Sequence, residues 1–473
     1  MPCSIPNRKW VNISVAAAPE PLMTYYEEHQ ADFLEGLKAF LRIPSISTLT
    51  EHKLDIIRAA EFARDELAAA GMTKAELIVG AGNPLVYAEW LGAPGKPTIL
   101  FYGHYDVQPP DPLDEWQSPP FEPQVRGENL YARGACDDKG QVYIQIKAVE
   151  GLMKTHGKLP VNVKFLLEGE EETGGEHIEE YVKSRPPRLA ADAAVVCDTE
   201  MFAPELPTLC VGLRGIVYGE LAVEGANHDL HSGVYGGVAP NPIQAIAEIL
   251  CALKDRDGHI LIPGFYDRVV PPSDKERDAW ARLPFNVKEY TEIEMGALEL
   301  VGEPDIPLFE RTWARPTIEV HGIRGGFTGE GAKTVIPARA TAKISARLVA
   351  DQRPEEAAEQ LRAAILAACP KGVTAHFKVL HSGAPSLTNP DNPFIHASAE
   401  AMKQVFGKET VYIRSGGSIP IVGVFDRYLG IPSVMMGFGL PDDNLHAPNE
   451  KFHLPNFYRG IDAMARYLEL LGA

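Results

Sequence analysis

Thr98-Ile99-Leu100-Phe101-Tyr102-Gly103-His104-Tyr105-Asp106 is an apolar run that stops at a glycine and then presents a histidine and an aspartate. A short β-prone run bounded by a turn residue reads as a buried strand. Further on, Gly134-Ala135-Cys136-Asp137-Asp138-Lys139-Gly140 leads into Gln141-Val142-Tyr143-Ile144-Gln145-Ile146-Lys147-Ala148-Val149, whose apolar residues recur at helical spacing. His104 and Asp106 therefore stand just past the carboxyl end of a strand, and Asp137 and Asp138 stand where a helix begins. Ligand sites of open α/β sheets lie at such places. A histidine, a spaced aspartate and an aspartate pair there suggest a metal ion.

The flanking sequence repeats this pattern. Apolar residues recur at helical spacing from Tyr25 to Leu41 and from Leu54 to Ala70, the second stretch stopped by Gly71. Leu77-Ile78-Val79 and Leu85-Val86-Tyr87-Ala88-Glu89-Trp90 read as strands. Pro160 to Leu167 is a strand ending in Glu168-Gly169-Glu170-Glu171-Glu172-Thr173-Gly174-Gly175. Ala193-Ala194-Val195-Val196-Cys197 ends at Asp198, and the loop after Pro432-Ser433-Val434-Met435-Met436-Gly437 carries His446. Four strands thus deliver a potential ligand to their carboxyl ends: His104, Glu171 or Glu172, Asp198, and His446. Alternating strand and helix predicts an α/β fold built on a mainly parallel, helix-covered sheet.

The middle of the chain differs. Gly215 to Val223, Thr317 to His321, Ala340 to Val349 and Val373 to Leu380 are longer and alternate apolar with polar residues. Helices start between them, one at Asn241-Pro242 and one at Pro354. This reads as an antiparallel sheet with helices on one face. The expected organisation is an N-terminal extension over 1–24, a catalytic domain over 25–210 and 383–473, and an inserted α+β lid or dimerisation domain over 211–382.

Composition narrows the function classes. With 64 acidic against 45 basic residues the formal charge is −19, which argues against nucleic acid or an anionic membrane as partner. No apolar run is long enough to span a bilayer. The first residues, with Arg8, Lys9 and the patch Val15-Ala16-Ala17-Ala18, fall short of a secretory signal, and Met23 is an alternative start. Six scattered cysteines give no disulfide framework, so the expected location is the cytoplasm.

Taken singly, each candidate has an ordinary reading: a hydrogen-bonded histidine, an N-cap aspartate, a charged surface turn. Their joint occurrence at successive strand ends changes this. Several carboxylates crowded at a buried sheet edge need a cation or shifted pKa values to relieve their repulsion. Cys136 and Cys197, beside two of the acids, read as small buried neighbours.

His104-Tyr105-Asp106-Val107-Gln108-Pro109, Ala132-Arg133-Gly134-Ala135-Cys136-Asp137-Asp138-Lys139-Gly140, Glu168-Gly169-Glu170-Glu171-Glu172-Thr173-Gly174 and Asp229-Leu230-His231-Ser232-Gly233-Val234-Tyr235-Gly236-Gly237 resemble the motifs of the co-catalytic zinc peptidases. That family includes carnosine and cytosolic non-specific dipeptidases, carboxypeptidase G, aminoacylase, acetylornithine deacetylase and succinyl-diaminopimelate desuccinylase. The resemblance covers nearly all of the chain after about residue 25, and Val107-Gln108-Pro109 with the His231 motif leans toward the dipeptidases.

The resemblance implies one metal on His104, Asp137 and Asp198, and a second on Asp137, Glu172 and His446, with Asp137 bridging. Asp106 would orient His104, and Glu171 would be the general base toward a hydroxide bridging the two metals. Two imidazoles and three carboxylates suit Zn2+ and also accept Mn2+ or Co2+. His231 would stabilise the developing oxyanion in the other subunit of a homodimer, while His228 reads as structural. Arg347 would take the substrate's carboxylate, with Thr334, Gly417 and Ser418 nearby. The expected activity is hydrolysis of dipeptides or short peptides with a free carboxylate. An N-acyl-amino-acid deacylase is the alternative enzyme, and a catalytically silent binding protein the alternative outside enzymes. Gly326-Phe327-Thr328-Gly329-Glu330-Gly331-Ala332-Lys333-Thr334 looks like a phosphate loop. However, Ala332 stands where that loop needs glycine, and a strand-like segment follows it instead of a helix.

Overall fold

The structure is a computed structural model describing residues 20–473. Residues 1–19, and with them most of the expected 1–24 extension, lie outside the described residues. The chain forms two compact units: Met1–Cys210 with Asn389–Val411 and Val424–Ala473, and Val211–Thr388 with Tyr412–Gly423.

In the first unit the strands lie in the order Lys74–Ile78, Leu85–Trp90, Asn162–Glu168, Thr98–His104, Ala193–Val196, Ser433–Met435. The last four pair in parallel, and the first two close one edge antiparallel. Ile99, Leu100, Phe101 and Tyr102 are fully buried, as are Val163, Phe165, Leu166 and Leu167 in the neighbouring strand. Near-continuous apolar strands are what a parallel sheet covered by helices requires, and each such side chain contributes roughly 1.5–3 kcal/mol on burial. The helix Lys139–His156 packs against Thr98–His104 and against the helix Leu454–Gly472.

Two boundaries differ from the sequence reading. The helical pattern from Tyr25 to Leu41 is two helices, Glu20–Glu28 and Gln30–Leu41, because His29 sits at φ −105, ψ 8 between them. The first strand is Lys74–Ile78 rather than Leu77 to Val79, and Val79 is exposed. Lys451–His453 also joins Asn129–Tyr131 and Gln124–Arg126 in a small antiparallel sheet that no sequence pattern announced.

The second unit holds a four-stranded antiparallel sheet in the order Thr317–Gly325, Arg339–Leu348, Gly215–Glu224, Thr374–Gly383. Val217, Leu221 and Ile344 alternate inward and pack with Ile246 and Ile249 of the helix Pro242–Leu253 and Leu361 and Ile365 of the helix Pro354–Ala368. Asn241 caps the first of these helices through its side chain, which accepts from the Ile243 N–H.

Candidate metal centre

All the candidate ligands except Asp137 are placed by the ends of parallel strands. His104 is the last residue of Thr98–His104. Glu171 and Glu172 lie in a single helical turn just after Asn162–Glu168, closed by Gly174 at φ +112. Asp198 follows Ala193–Val196 by two residues, and His446, at φ +60, sits in the loop after Ser433–Met435. Asp137 precedes the helix Lys139–His156, whose N-cap residue Asp138 makes no cap hydrogen bond and instead accepts from the His104 backbone N–H at 3.1 Å. Gly103 permits this approach. A Cβ there would lie 2.4 Å from Val142 Cγ2 and 2.7 Å from Asp138 Oδ2.

The side chains converge in two groups that share one carboxylate. His104, Asp137 and Asp198 form the first, and Asp137, Glu172 and His446 the second, with the donor atoms of each group all within 4.8 Å of one another. His104 Nε2 lies 3.0 Å from Asp137 Oδ1 and 4.0 Å from Asp198 Oδ2. His446 Nε2 lies 2.9 Å from Asp137 Oδ2 and 3.4 Å from Glu172 Oε2. The two oxygens of Asp137 thus face different imidazoles, as a bridging carboxylate must.

The donor set fits divalent cations. His104 is fully buried, and its Nε2 has no hydrogen-bond partner despite the oxygen at 3.0 Å. A buried ring nitrogen left in this way, facing carboxylates, is what a metal ligand looks like without its ion. The charges agree. Burial pushes the Asp198 carboxyl up to about 7, with the nearby Asp137 charge the next cause. Burial likewise drives Glu171 well up, against the pull of His104 and with repulsion from Asp198 and Glu172. Hydrogen bonds to Asp137 and Glu172 raise His446 to about 10. Such a cluster holds excess negative charge that a cation relieves.

The supporting residues are more specific than the sequence implied. His104 Nδ1 meets the Asp106 backbone carbonyl at 3.1 Å, with the Asp106 carboxylate farther, at 3.4 Å. Asp106 Oδ2 accepts from the Glu172 backbone N–H at 3.2 Å, and Gln108 Nε2 donates to Glu172 Oε2 at 2.8 Å. One residue the sequence reading missed is Glu450. It is fully buried and accepts from Arg133 Nη1 at 2.7 Å and from the backbone N–H groups of Gly134, Cys136 and Asp137 at 2.8, 3.0 and 3.1 Å. It therefore ties the His446 loop to the loop that presents Asp137. Its only sequence signal was proximity to His446.

The remaining candidates lie in the second unit, in two places. His231 is exposed beside Val335, and its Nδ1 accepts from the Gly233 N–H at 3.0 Å, which leaves the ring proton on Nε2. The Thr334 carbonyl accepts from the Ser232 N–H. Arg347, on Arg339–Leu348, donates to Ser418 Oγ at 3.1 Å, and the Gly417 carbonyl accepts from the Arg214 N–H. His228 is exposed against Asn227. After the glycine-rich stretch, Val335–Ile336 is a strand.

Residues 100–470 match peptidase family M20/M25/M40. The chain belongs to that family. Among M20 relatives it is 33% identical over 472 residues to the Cys-Gly metallodipeptidase DUG1 of Candida albicans, spanning 96% of this chain and 97% of that one. It is 31% identical over 471 residues to human Beta-Ala-His dipeptidase, spanning 95% and 92%. Among solved structures, an M20 metallo-carboxypeptidase from Sulfolobus solfataricus superposes with TM-score 0.82 at 34% identity, over 93% of this chain and 99% of that one. Human carnosine dipeptidase 1 superposes with TM-score 0.81 at 30% identity, over 96% and 98%. This M20 protein is a hydrolase of the metallopeptidase type, on the dipeptidase-like branch. No helix among its described residues is long and apolar enough to cross a membrane.

Proposed function

We propose that the protein is a metal-dependent dipeptidase that hydrolyses the amide bond of dipeptides or short peptides with a free carboxyl-terminal carboxylate. The observation that carries this reading is the pair of three-donor groups sharing Asp137. His104, Asp137 and Asp198 would hold one divalent ion, and Asp137, Glu172 and His446 the other, with Zn2+ the best match to two imidazoles and three carboxylates. Metal held there would supply Lewis-acid polarisation of a scissile carbonyl and a more acidic water. Glu171, next to the ligand Glu172, takes the proton of the attacking water and passes it to the leaving amine. Asp106 and Gln108 keep His104 and Glu172 in register. Arg347 holds the carboxylate in the fork geometry a guanidinium offers.

The protein works as a cytoplasmic homodimer in this reading, with an inserted lid or dimerisation domain over about 211–382. His231 acts across the dimer: its exposed Nε2–H is a donor for the oxyanion of the partner's substrate.

The test has three parts. Chelated protein is reloaded with Zn2+, Mn2+ or Co2+ and assayed on dipeptides and acetyl-amino acids. Turnover of acetyl-amino acids alone would transfer the protein to the deacylases. Glu171→Gln should keep its metals by elemental analysis while kcat falls by about 10²–10⁴-fold, and an unchanged rate removes Glu171 from the base role. Mixing Glu171→Gln with His231→Ala protein should restore partial activity, and no rescue in verified mixed dimers would exclude a shared site.

A further inference from the structure

Two arginines of the second unit grip the same loop. Arg214 immediately precedes the strand Gly215–Glu224, and Arg347 lies on the neighbouring strand, paired with Ile216. Arg214 donates through its backbone N–H to the Gly417 carbonyl at 3.1 Å and through Nε to the Gly416 carbonyl at 3.0 Å. Arg347 Nη1 donates to Ser418 Oγ at 3.1 Å, and Ser415 Oγ accepts from the Gly417 N–H at 3.1 Å. The loop 415–418 thus lies under two half-buried guanidiniums. Gly416 leaves room for this guanidinium: a Cβ there would lie 2.9 Å from Arg214 Nη2.

Neither guanidinium forms an ion pair with a carboxylate among the described residues. Glu319, whose charge reaches Arg214, is paired with Lys254 at 3.3 Å. Burial holds the Arg214 guanidinium down at about 10, with the positive charge of Arg347 the next cause. Two partly desolvated guanidiniums held on one loop, neither paired with a carboxylate, favour an anion beside that loop.

We propose that Arg214 is a second guanidinium of the substrate's carboxylate pocket, acting beside Arg347 on one carboxylate. This rests on the dipeptidase reading and adds a specificity-determining residue to it. Arg347 supplies the first fork. Arg214 supplies the second charge and holds the loop that presents Ser418. The pocket selects substrates with a free carboxyl-terminal carboxylate over their amides.

The experiment compares Ala-Ala with Ala-Ala amide in wild type, Arg214→Met, Arg214→Gln and Arg214→Lys, by kinetics and by calorimetric binding to chelated protein. Losing a charged hydrogen bond should lower the acid-over-amide discrimination of Arg214→Met by about ten-fold or more, with the loss falling on KM rather than kcat. Arg214→Lys should recover part of it, and Arg214→Gln, which keeps an N–H but no charge, should not. Unchanged discrimination in Arg214→Met overturns the proposal. So does equal recovery by Gln and Lys, which would make Arg214 a loop support only. A wild type that binds acid over amide but cleaves neither would sink the dipeptidase reading and leave this one standing. A wild type that binds both alike sinks this one.

Discussion

Glu450 shows how much a single residue can do away from the chemistry. Its carboxylate is buried against Arg133, whose side chain is equally hidden, and takes three backbone N–H groups of the loop that ends in Asp137. Glu450→Ala should cost about 3–5 kcal/mol of stability, because it leaves the Arg133 charge buried without a partner. Denaturant melts would show the loss, and elemental analysis should show a reduced metal content in the protein that still folds. A variant as stable as wild type would mean that water replaces the carboxylate. The candidate ligands themselves were legible in the sequence, since histidine and clustered acids after strands are chemically distinctive. Glu450 was not. A glutamate between Asn449 and Lys451 has the composition of a solvated loop, and only the fold places it against Arg133.

At the scale of elements, the centre depends on how closely the helix Lys139–His156 approaches the end of the strand Thr98–His104. Gly103 sets that distance. Gly103→Ala would force its Cβ into Val142 and the Asp138 carboxylate, and overpacking of this kind costs typically about 1–3 kcal/mol. Because Asp138 also receives the His104 N–H, the same change should weaken metal binding, read by titration of chelated protein. Unaltered metal affinity would show that the helix start can shift without moving Asp137. The core strands and long helices were readable because their apolar periods are unambiguous. The break at His29 was not, since apolar spacing continues across it and only backbone angles reveal it. The short strands around Asn129–Tyr131 were hidden too, because three residues carry no measurable period.

For the whole molecule, a chain of charge −19 gathers carboxylates into one cluster, where burial and then neighbouring charges raise the proton affinity of Asp198 and Glu171. Cations bound in this cluster would therefore stabilise the fold as well as serve the proposed reaction. Exhaustive chelation should lower the melting temperature, and re-adding metal at about a hundred times its dissociation constant should return about 2.7 kcal/mol per site. A melting temperature indifferent to chelation would mean that the cluster binds metal no better folded than unfolded. The alternation of strand and helix showed the sheet architecture in advance. The grouping of Tyr412–Gly423 with the second unit was invisible, because it depends on where a late segment packs and not on its own residues.

Asp137 and His446 stand 309 residues apart in the chain. A ribosome reaches the last of the five donors only after nearly the entire polypeptide has emerged. Even the earlier group of His104, Asp137 and Asp198 leans on late residues, since Glu450 holds the Asp137 loop and Ser433–Met435 borders the strand before Asp198. Any metal held by these side chains would therefore be enclosed only once synthesis is almost over.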